Sequence, residues 1–317
     1  MTIVCAKTDI LTTLTYFDIF KYPITQTEIF FFLNNNYTQH EFSKALWALL
    51  EEKHIYKFEE FYTLRNDRSL GSRRRKGNLH AKQLLQTADS IAAFLSAFPF
   101  VRGVAVSGSL SKNYADDRSD IDFFIITAKN RLWIARTCMH FFKKFTFLFG
   151  KQHLFCMNYY VDEKGLEIKE KNVYTATELV TLLPLRGINA FKELYKQNRW
   201  SKEFLPNHSM KVIYTKETQD NFGKRLIEFC LNNNFGNFID NRLMEITAKR
   251  WKKKTERNLL NANGNILGMD ANKHYAKPDP RSFQFKFLNT LKGRIQTTMQ
   301  HFEAAAISSV DLTGSTH

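Results

Sequence analysis

The chain has 317 residues, of which 44% are hydrophobic, and its formal net charge at pH 7 is +15. This length and apolar content predict a sizeable core in two or three domains and exclude a disordered chain. The positive charge suits an anionic partner such as a nucleotide, a nucleic acid or a membrane surface. A genomic base composition that favours lysine codons explains the charge equally well.

Nothing in the sequence indicates export or a membrane span. Lys7 and Asp9 interrupt the N-terminus before an apolar signal core can form. The most apolar segment, residues 132–149, contains several cationic side chains, which disfavour a spanning helix. The four cysteines form no CxxC pattern. We therefore expect a cytoplasmic protein with reduced thiols.

Residues 1–76 are predicted to form a winged-helix-like module. Apolar periodicity over residues 7–20 predicts a first helix, and two capping boxes predict a second and a third. Each box pairs a threonine with a glutamate three residues later, namely Thr25 with Glu28 and Thr38 with Glu41. Two short β-type runs, 54–58 and 61–64, follow. Three helices before a hairpin are typical of winged helices, which this segment resembles.

A winged helix often reads DNA with its third helix. Phosphate contacts depend mainly on Lys and Arg, and the start of that predicted helix exposes a single lysine, so we favour a supporting or protein-contact role. Its exposed positions are Gln39, His40, Glu41, Ser43 and Lys44. The basic cluster at residues 73–76 either meets a nucleic acid backbone or is the solvated start of the next helix.

An amphipathic helix over residues 77–98 is expected to connect this module to a core at residues 99–174. An apolar run over 101–106 ends in Ser107-Gly108-Ser109, and Asp120-Ile121-Asp122 precedes a second apolar run. On a strand, residues i and i+2 point to the same face, so the two aspartates would lie side by side. Their repulsion favours a cation between them, and Mg²⁺ takes oxygen ligands while keeping substrate phosphates.

The Gly-Ser pair at the end of the first apolar run has the chemistry of a phosphate-binding loop. Gly108 lets the backbone approach a phosphate, and Ser109 offers a hydroxyl and an amide. A short helix over residues 110–115 would turn its N-terminus towards the anion. Lys112 would add a positive charge.

A Gly-Ser pair followed, after a spacer, by Ser-Asp-hydrophobic-Asp and an apolar strand resembles the signature of the polymerase-β-type nucleotidyltransferase superfamily, especially its small bacterial and archaeal transferases. The resemblance implies that Gly108 and Ser109 hold the triphosphate of an NTP, with ATP expected. It also implies that Asp120 and Asp122 are catalytic and bind Mg²⁺, with Mn²⁺ as an alternative. The matching residues are Gly108, Ser109, Ser119, Asp120, Ile121 and Asp122.

The sequence departs from this pattern in two places. Ser111, Lys112 and Asn113 stand where Ala, Arg and Gly are usual, and Asn is the non-glycine residue best able to adopt a left-handed backbone. Active members also add a third carboxylate from a later strand, where this chain has Asn158. Asp162 and Glu167 are the candidates for that carboxylate, and the sequence leaves the choice between them open.

The remainder is predicted as a helical C-terminal region, residues 175–305, and a disordered tail, 306–317. A third capping box is expected at Thr175 with Glu178, and a polar loop at 261–281. The basic run 249–254 around Trp251 suits either nucleic acid contact or an exposed helix end.

The sequence thus predicts an α+β fold, with a nucleotidyltransferase mixed sheet flanked by helices, an N-terminal winged-helix-like module and a C-terminal helical region. The predicted function is transfer of a nucleoside monophosphate from a Mg²⁺-bound NTP to an unknown acceptor, with release of pyrophosphate. The alternative is an inactive relative that binds nucleic acid through its basic surfaces, or binds another protein.

Overall fold

The computed structural model describes residues 2–117, 119–147, 156–208, 215–257, 269–278 and 281–314. The protein is a mixed α/β structure that contains a three-stranded antiparallel sheet and a six-stranded mixed sheet. Among the described residues, no helix combines the length and the apolar character needed to cross a membrane.

The first sheet and three helices form the N-terminal module. Its strands lie in the order β1-β3-β2 and pair antiparallel throughout. The capping boxes at Thr25 and Thr38 are both confirmed. In each, the threonine hydroxyl accepts a hydrogen bond from the amide of the glutamate, and the glutamate carboxylate accepts one from the amide of the threonine. The elements are α1 (Thr2–Asp18), β1 (Ile24–Thr25), α2 (Gln26–Phe31), α3 (Gln39–Glu51), β2 (Tyr56–Phe58) and β3 (Phe61–Thr63).

A single long helix, α4 (Ser69–Ser96), joins this module to the larger sheet. The predicted boundary between residues 76 and 77 therefore lies inside a helix. In the basic cluster 73–76 Arg74 is buried, and the other three side chains are exposed but bond to neighbouring groups of the protein. Arg74 is only 2% exposed and bonds Glu28 and the carbonyl of Pro23, both at 2.7 Å. The others contact the carbonyls of Phe20 and Lys21, the carboxylates of Glu59 and Glu60, and Asp117.

The six-stranded sheet has the order β7-β4-β5-β6-β9-β8. Strands β5 and β6 are parallel and are joined through helix α6, whereas the other neighbouring pairs are antiparallel. The elements from β4 onwards are β4 (Val101–Val106), α5 (Gly108–Ser111), β5 (Asp122–Thr127), α6 (Leu132–Phe147), β6 (Cys156–Asp162), α7 (Val173–Val180), β7 (Leu183–Arg186), α8 (Ile188–Gln197), α9 (Phe222–Leu231), α10 (Asn234–Glu256), β8 (Met269–Ala271), β9 (Tyr275–Pro278) and α11 (Arg281–Gly314).

Both faces of this sheet are buried, which explains the continuous apolar runs in its central strands. Val104 and Phe123 point to one face, where α4 and α6 cover them. Ala105 and Phe124, one residue further along, point to the other face and pack against α7 and α8. Alternation along the strands therefore fixes which helices flank each side.

The structure corrects three predictions about the C-terminal half. This region is not purely helical, because β7, β8 and β9 belong to the same sheet as β4 and β5. The segment predicted as a polar loop contains the β8–β9 hairpin. Residues 306–314 of the predicted tail continue α11, and 315–317 lie outside the described residues.

Helix α11 returns to the start of the chain and packs on α1. Phe287 and Leu291 are buried in the same core cluster as Ile10 and Leu14. Arg294 donates to Asp18 at the end of α1 at 2.7 Å. The last helix therefore completes the core of the N-terminal module.

Candidate functional site

The Gly-Ser loop and Asp122 lie in direct contact. Strands β4 and β5 run antiparallel, so the end of β4 lies beside the start of β5, and the Ser107 amide donates to the Asp122 carbonyl at 2.9 Å. Gly108 has φ +69°, and a Cβ at that position would lie 3.1 Å from Asp122 Oδ2. Glycine is required here both for the left-handed backbone and for the close approach of the carboxylate.

The two predicted metal ligands differ in their surroundings. Strand β5 begins at Asp122, so Asp120 precedes the strand and is exposed, whereas Asp122 is half-buried. The pKa of Asp122 is raised to about 6, mainly by burial and also by the negative charges of Asp120 and Glu178, against a hydrogen bond from the Cys156 thiol that lowers it. The ionised form of Asp122 is therefore disfavoured by its burial and by the neighbouring charges of Asp120 and Glu178.

The predicted nucleotide-binding residues surround the same loop. Ser109 is exposed in the single helical turn α5, which is shorter than the predicted 110–115 segment and begins two residues earlier. Lys112 is largely buried, and its Nζ lies 3.1 Å from the Gly108 carbonyl and 2.8 Å from Glu178 Oε1. Asn113 has φ +59°, the left-handed conformation expected from its position in the motif.

Glu178 is a site residue that the sequence prediction missed. The predicted capping box at Thr175 and Glu178 is wrong, because α7 begins earlier and Asn172 is its N-cap, accepting from the Thr175 amide at 3.0 Å. Tyr174 and Glu178 are four residues apart and share one face of the helix. The missed signal was this polar pair at i and i+4, which leaves the glutamate free to reach Lys112.

The two candidates for a third carboxylate lie elsewhere. Asp162 pairs in register with Thr127 at the far end of β5, five residues and therefore about 17 Å from Asp122 at roughly 3.3 Å per residue. It is fully buried, accepts the Asn130 amide at 2.7 Å and bonds His274 Nδ1 at 2.9 Å, so its role is to fix a turn.

Glu167 is exposed and pairs with Lys171 at 2.8 Å. It lines a small pocket with Gly165 and Tyr275, which adjoins the cavity at Asp122 through Glu170 and Lys277, but Glu167 does not line that cavity itself. The side chain of Asn158 lies outside the described part of the chain, and the pairing of β6 with β5 skips this residue.

Two cavities meet at the Gly108 loop and share Gly108, Tyr174 and Glu178. The larger, about 470 Å³, lies between the N-terminal module and the loop and contains Ser109 and Lys112. The smaller, about 240 Å³, lies on the Asp122 side. Its polar lining consists of Ser107, Asp122, Glu170, Thr175, Glu178, Lys277 and Gln284.

The fit of the site to a divalent cation depends on the carboxylates around Asp122. Within the described parts of the chain, no three His, Cys, Asp or Glu side chains are grouped closely enough to hold an ion by themselves. Asp120 and Asp122 provide two carboxylates, and the raised pKa of Asp122 reflects a site where negative charge is unfavourable. This set fits Mg²⁺, which binds through one or two carboxylates and fills its other positions with water and phosphate.

Comparison with known proteins gives no match: no protein-family model, no curated protein and no solved structure matches the chain.

Proposed function

We propose that the protein is a nucleotidyltransferase that moves a nucleoside monophosphate from a Mg²⁺-bound NTP, with ATP expected, to an acceptor and releases pyrophosphate. The observation that carries this proposal is the closeness of the Gly-Ser loop to Asp122: the Ser107 amide donates to the Asp122 carbonyl, and a Cβ on the left-handed Gly108 would lie only 3.1 Å from Asp122 Oδ2. A loop able to bind phosphate beside a carboxylate able to bind a cation suits phosphoryl transfer, where positioning and charge neutralisation dominate catalysis.

Each site residue has a role that follows from its position. The Gly108 and Ser109 amides and the Lys112 ammonium would bind the triphosphate, and Asp120 and Asp122 would hold Mg²⁺. When bound, this ion would neutralise phosphate charge and polarise the attacking oxygen. Glu178 lines both cavities and, as a carboxylate, can accept the proton of an acceptor hydroxyl in the smaller one.

The architecture supports the same proposal. The antiparallel pair β4–β5, extended by a parallel β6 through α6, suits a nucleotidyltransferase core with its site at the start of β5. The order helix, strand, helix, helix, strand, strand in residues 2–63, with a β1-β3-β2 sheet, supports a winged-helix-like module.

Transfer from α-labelled ATP, CTP, GTP and UTP tests the proposal, with Mg²⁺ or Mn²⁺ and a whole-cell extract as the acceptor mixture. We expect label transfer by the wild-type protein and a decrease of about 100-fold or more in Asp122→Asn, because loss of a group that merely supports a metal ligand already costs about 10–100-fold. Asp117→Asn is the matched control, since this carboxylate lies in the same loop and is 71% exposed. Equal transfer by Asp122→Asn and the wild type would refute the mechanism.

Nucleic acid binding is a second candidate, favoured by one surface. The last turns of α10 expose Lys249, Arg250 and the run 252–254. Trp251, however, packs against Arg136 with 4.5 Å between guanidinium and ring centroid, so its ring is not free to stack on a base. We expect at most salt-sensitive, sequence-independent binding here, and an unchanged affinity between 50 and 200 mM salt would exclude phosphate contacts as its basis.

A further inference from the structure

We infer that the N-terminal module forms the nucleobase site: the base of the NTP stacks in the larger cavity against aromatic side chains of this module, with Phe20 at its wall. The inference rests on the proposed function, since it assigns a place to one part of the proposed substrate. It also gives the module a role inside the active site instead of on DNA.

The first observation is the lining of the larger cavity. The N-terminal module contributes Tyr16, Phe17, Phe20 and Tyr22 to it, and these face the same space as Ser109 and Lys112. At about 470 Å³ the cavity falls within the usual range of small-molecule sites, about 300–1,000 Å³. A ligand whose phosphates contact the Gly-Ser loop therefore has an aromatic enclosure within reach of its other end.

The second observation is that the aromatic rings are already fixed in place. Tyr22 and Tyr114 meet edge to face with centroids 5.6 Å apart. Tyr114 packs so closely on α4 that a Cβ at Gly77 would lie 2.3 Å from its ring. Phe20 stacks on Phe287 of α11 at 5.3 Å, with 19° between the ring planes. Such preformed rings can bind a base without a further cost of ordering side chains.

Phe20 is the ring best placed to receive a base. Its side chain is 43% exposed although one face is covered by Phe287, whereas Tyr16 and Phe17 are 6% and 3% exposed. An exposed aromatic ring held against a packed one is a stacking platform, and base–aromatic stacking tolerates any base because every base has a π-face.

The third observation is that the module is bonded to the phosphate loop itself. The Tyr22 hydroxyl donates to the Lys112 carbonyl. Arg73 donates to the carbonyls of Phe20 and Lys21, at 3.2 and 2.8 Å, and its guanidinium lies 5.8 Å from the Tyr114 centroid. These contacts hold the position of the aromatic wall relative to the residues that would bind the triphosphate.

The smaller cavity suits the base less well. Three carboxylates line it, those of Asp122, Glu170 and Glu178, together with Lys277 and Gln284. This polar set matches an acceptor that presents hydroxyl or amino groups. The larger cavity, with its aromatic wall, is therefore the one assigned to the base.

The test compares two ligands that differ by the nucleoside: α,β-methylene-ATP and inorganic tripolyphosphate, each with Mg²⁺, titrated calorimetrically into the full chain. Phe20→Ala should weaken binding of the nucleotide by about 5- to 150-fold, the equivalent of the about 1–3 kcal/mol that stacking on one aromatic ring contributes. Binding of tripolyphosphate should stay unchanged. Phe20→Leu, which retains apolar packing against Phe287, should show the same selective loss and guards against a folding defect.

Trp47→Ala is the matched control, because Trp47 is an aromatic of the same module that is 64% exposed on α3. It should change the affinity of neither ligand. If both Phe20 variants lose the two ligands equally, or lose neither, the base does not stack there and the inference fails while the proposed function stands. If folded wild-type protein binds neither ligand, the proposed function fails and the inference fails with it.

Discussion

Gly108 offers the sharpest structural test of the site, through Gly108→Ala. The alanine must adopt the left-handed backbone conformation of Gly108, with φ at +69°, which costs a non-glycine residue about 1–2 kcal/mol. Its Cβ must also fit 3.1 Å from Asp122 Oδ2, which is closer than ordinary van der Waals contact. Restriction of the unfolded chain returns about 0.4–1 kcal/mol. The two backbone terms leave a loss of about 0–1.6 kcal/mol, and the close contact with Asp122 adds to it, so we expect a net loss of about 1–2 kcal/mol in the free energy of unfolding.

Gly293→Ala provides the matched control. Gly293 lies within α11, and a Cβ there meets nothing within 4 Å. The same change should therefore stabilise the protein by about 0.5–1 kcal/mol, because alanine favours a helix interior over glycine. The two substitutions are chemically identical and differ only in backbone conformation and space.

The assay is urea denaturation of the three proteins, monitored by far-UV circular dichroism, with calorimetric titration of Mg²⁺ and α,β-methylene-ATP. Gly108→Ala should lower the midpoint and weaken nucleotide binding, whereas Gly293→Ala should raise the midpoint and leave binding unchanged. A Gly108→Ala protein as stable as the wild type, with the same nucleotide affinity, would refute the close contact between loop and carboxylate.

Two further predictions concern the framework around the site. Arg74→Met should destabilise the protein by about 3–5 kcal/mol in urea denaturation, because it leaves Glu28 without its buried partner. The control Arg75→Ala, at a 53% exposed position, should cost less than about 1 kcal/mol. Similar losses in the two variants would contradict the burial of Arg74. Burial raises the pKa of Asp240 to about 6, above its unfolded value, so its contribution to stability is present below pH 4 and lost as pH rises through 6. Asp240→Asn removes the buried charge but keeps the oxygen that accepts a hydrogen bond from the Ile134 amide at 2.9 Å. The variant should therefore be more stable than the wild type at pH 7.5, by up to about 3 kcal/mol, and should lose that advantage near pH 4. A stability difference that does not change with pH would rule out a buried charge at this position.

Sequence patterns predicted best what is determined by neighbours along the chain. The capping boxes at Thr25 and Thr38 are made of groups three residues apart, and both form as predicted. The left-handed backbone of Asn113 is likewise a local preference. These features need no knowledge of tertiary structure, and so the sequence is sufficient for them.

The same kind of pattern was wrong at Thr175 because a distant residue competes for the glutamate. Asn172 caps α7 three residues earlier, and Glu178 instead reaches Lys112, which is 66 positions away in the chain. A capping-box pattern describes only bonds between residues close together in the sequence. It therefore does not distinguish Asn172 from Thr175 as the N-cap when Glu178 pairs with Lys112 elsewhere in the fold. The third carboxylate was predicted at Asp162 or Glu167 because the family resemblance places it on a later strand, whereas Glu178 lies on a helix.

Strand order was the other part that local patterns could not supply. Short runs such as β7, β8 and β9 are three or four residues long and have no periodicity of their own to distinguish them from loops. Strand β7 forms by pairing with β4 and β9 by pairing with β6, both of which have buried faces, and β8 in turn pairs with β9. The extent of the sheet beyond residue 174 was thus a property of pairing, which composition does not encode.

The first and last helices together support the larger cavity beside the motif at 108–122. Asp18, at the end of α1, bonds both Arg65 of the module, at 2.5 Å, and Arg294 of α11, at 2.7 Å. Two residues further on, Phe20 stacks on Phe287 of the same α11. The aromatic wall of the larger cavity is therefore supported by a helix almost 270 residues away in sequence, and the entropy of closing so long a loop must be overcome before that wall exists. The Gly-Ser loop and Asp122 form locally between β4 and β5, but the enclosure beside them requires both ends of the chain to be folded together.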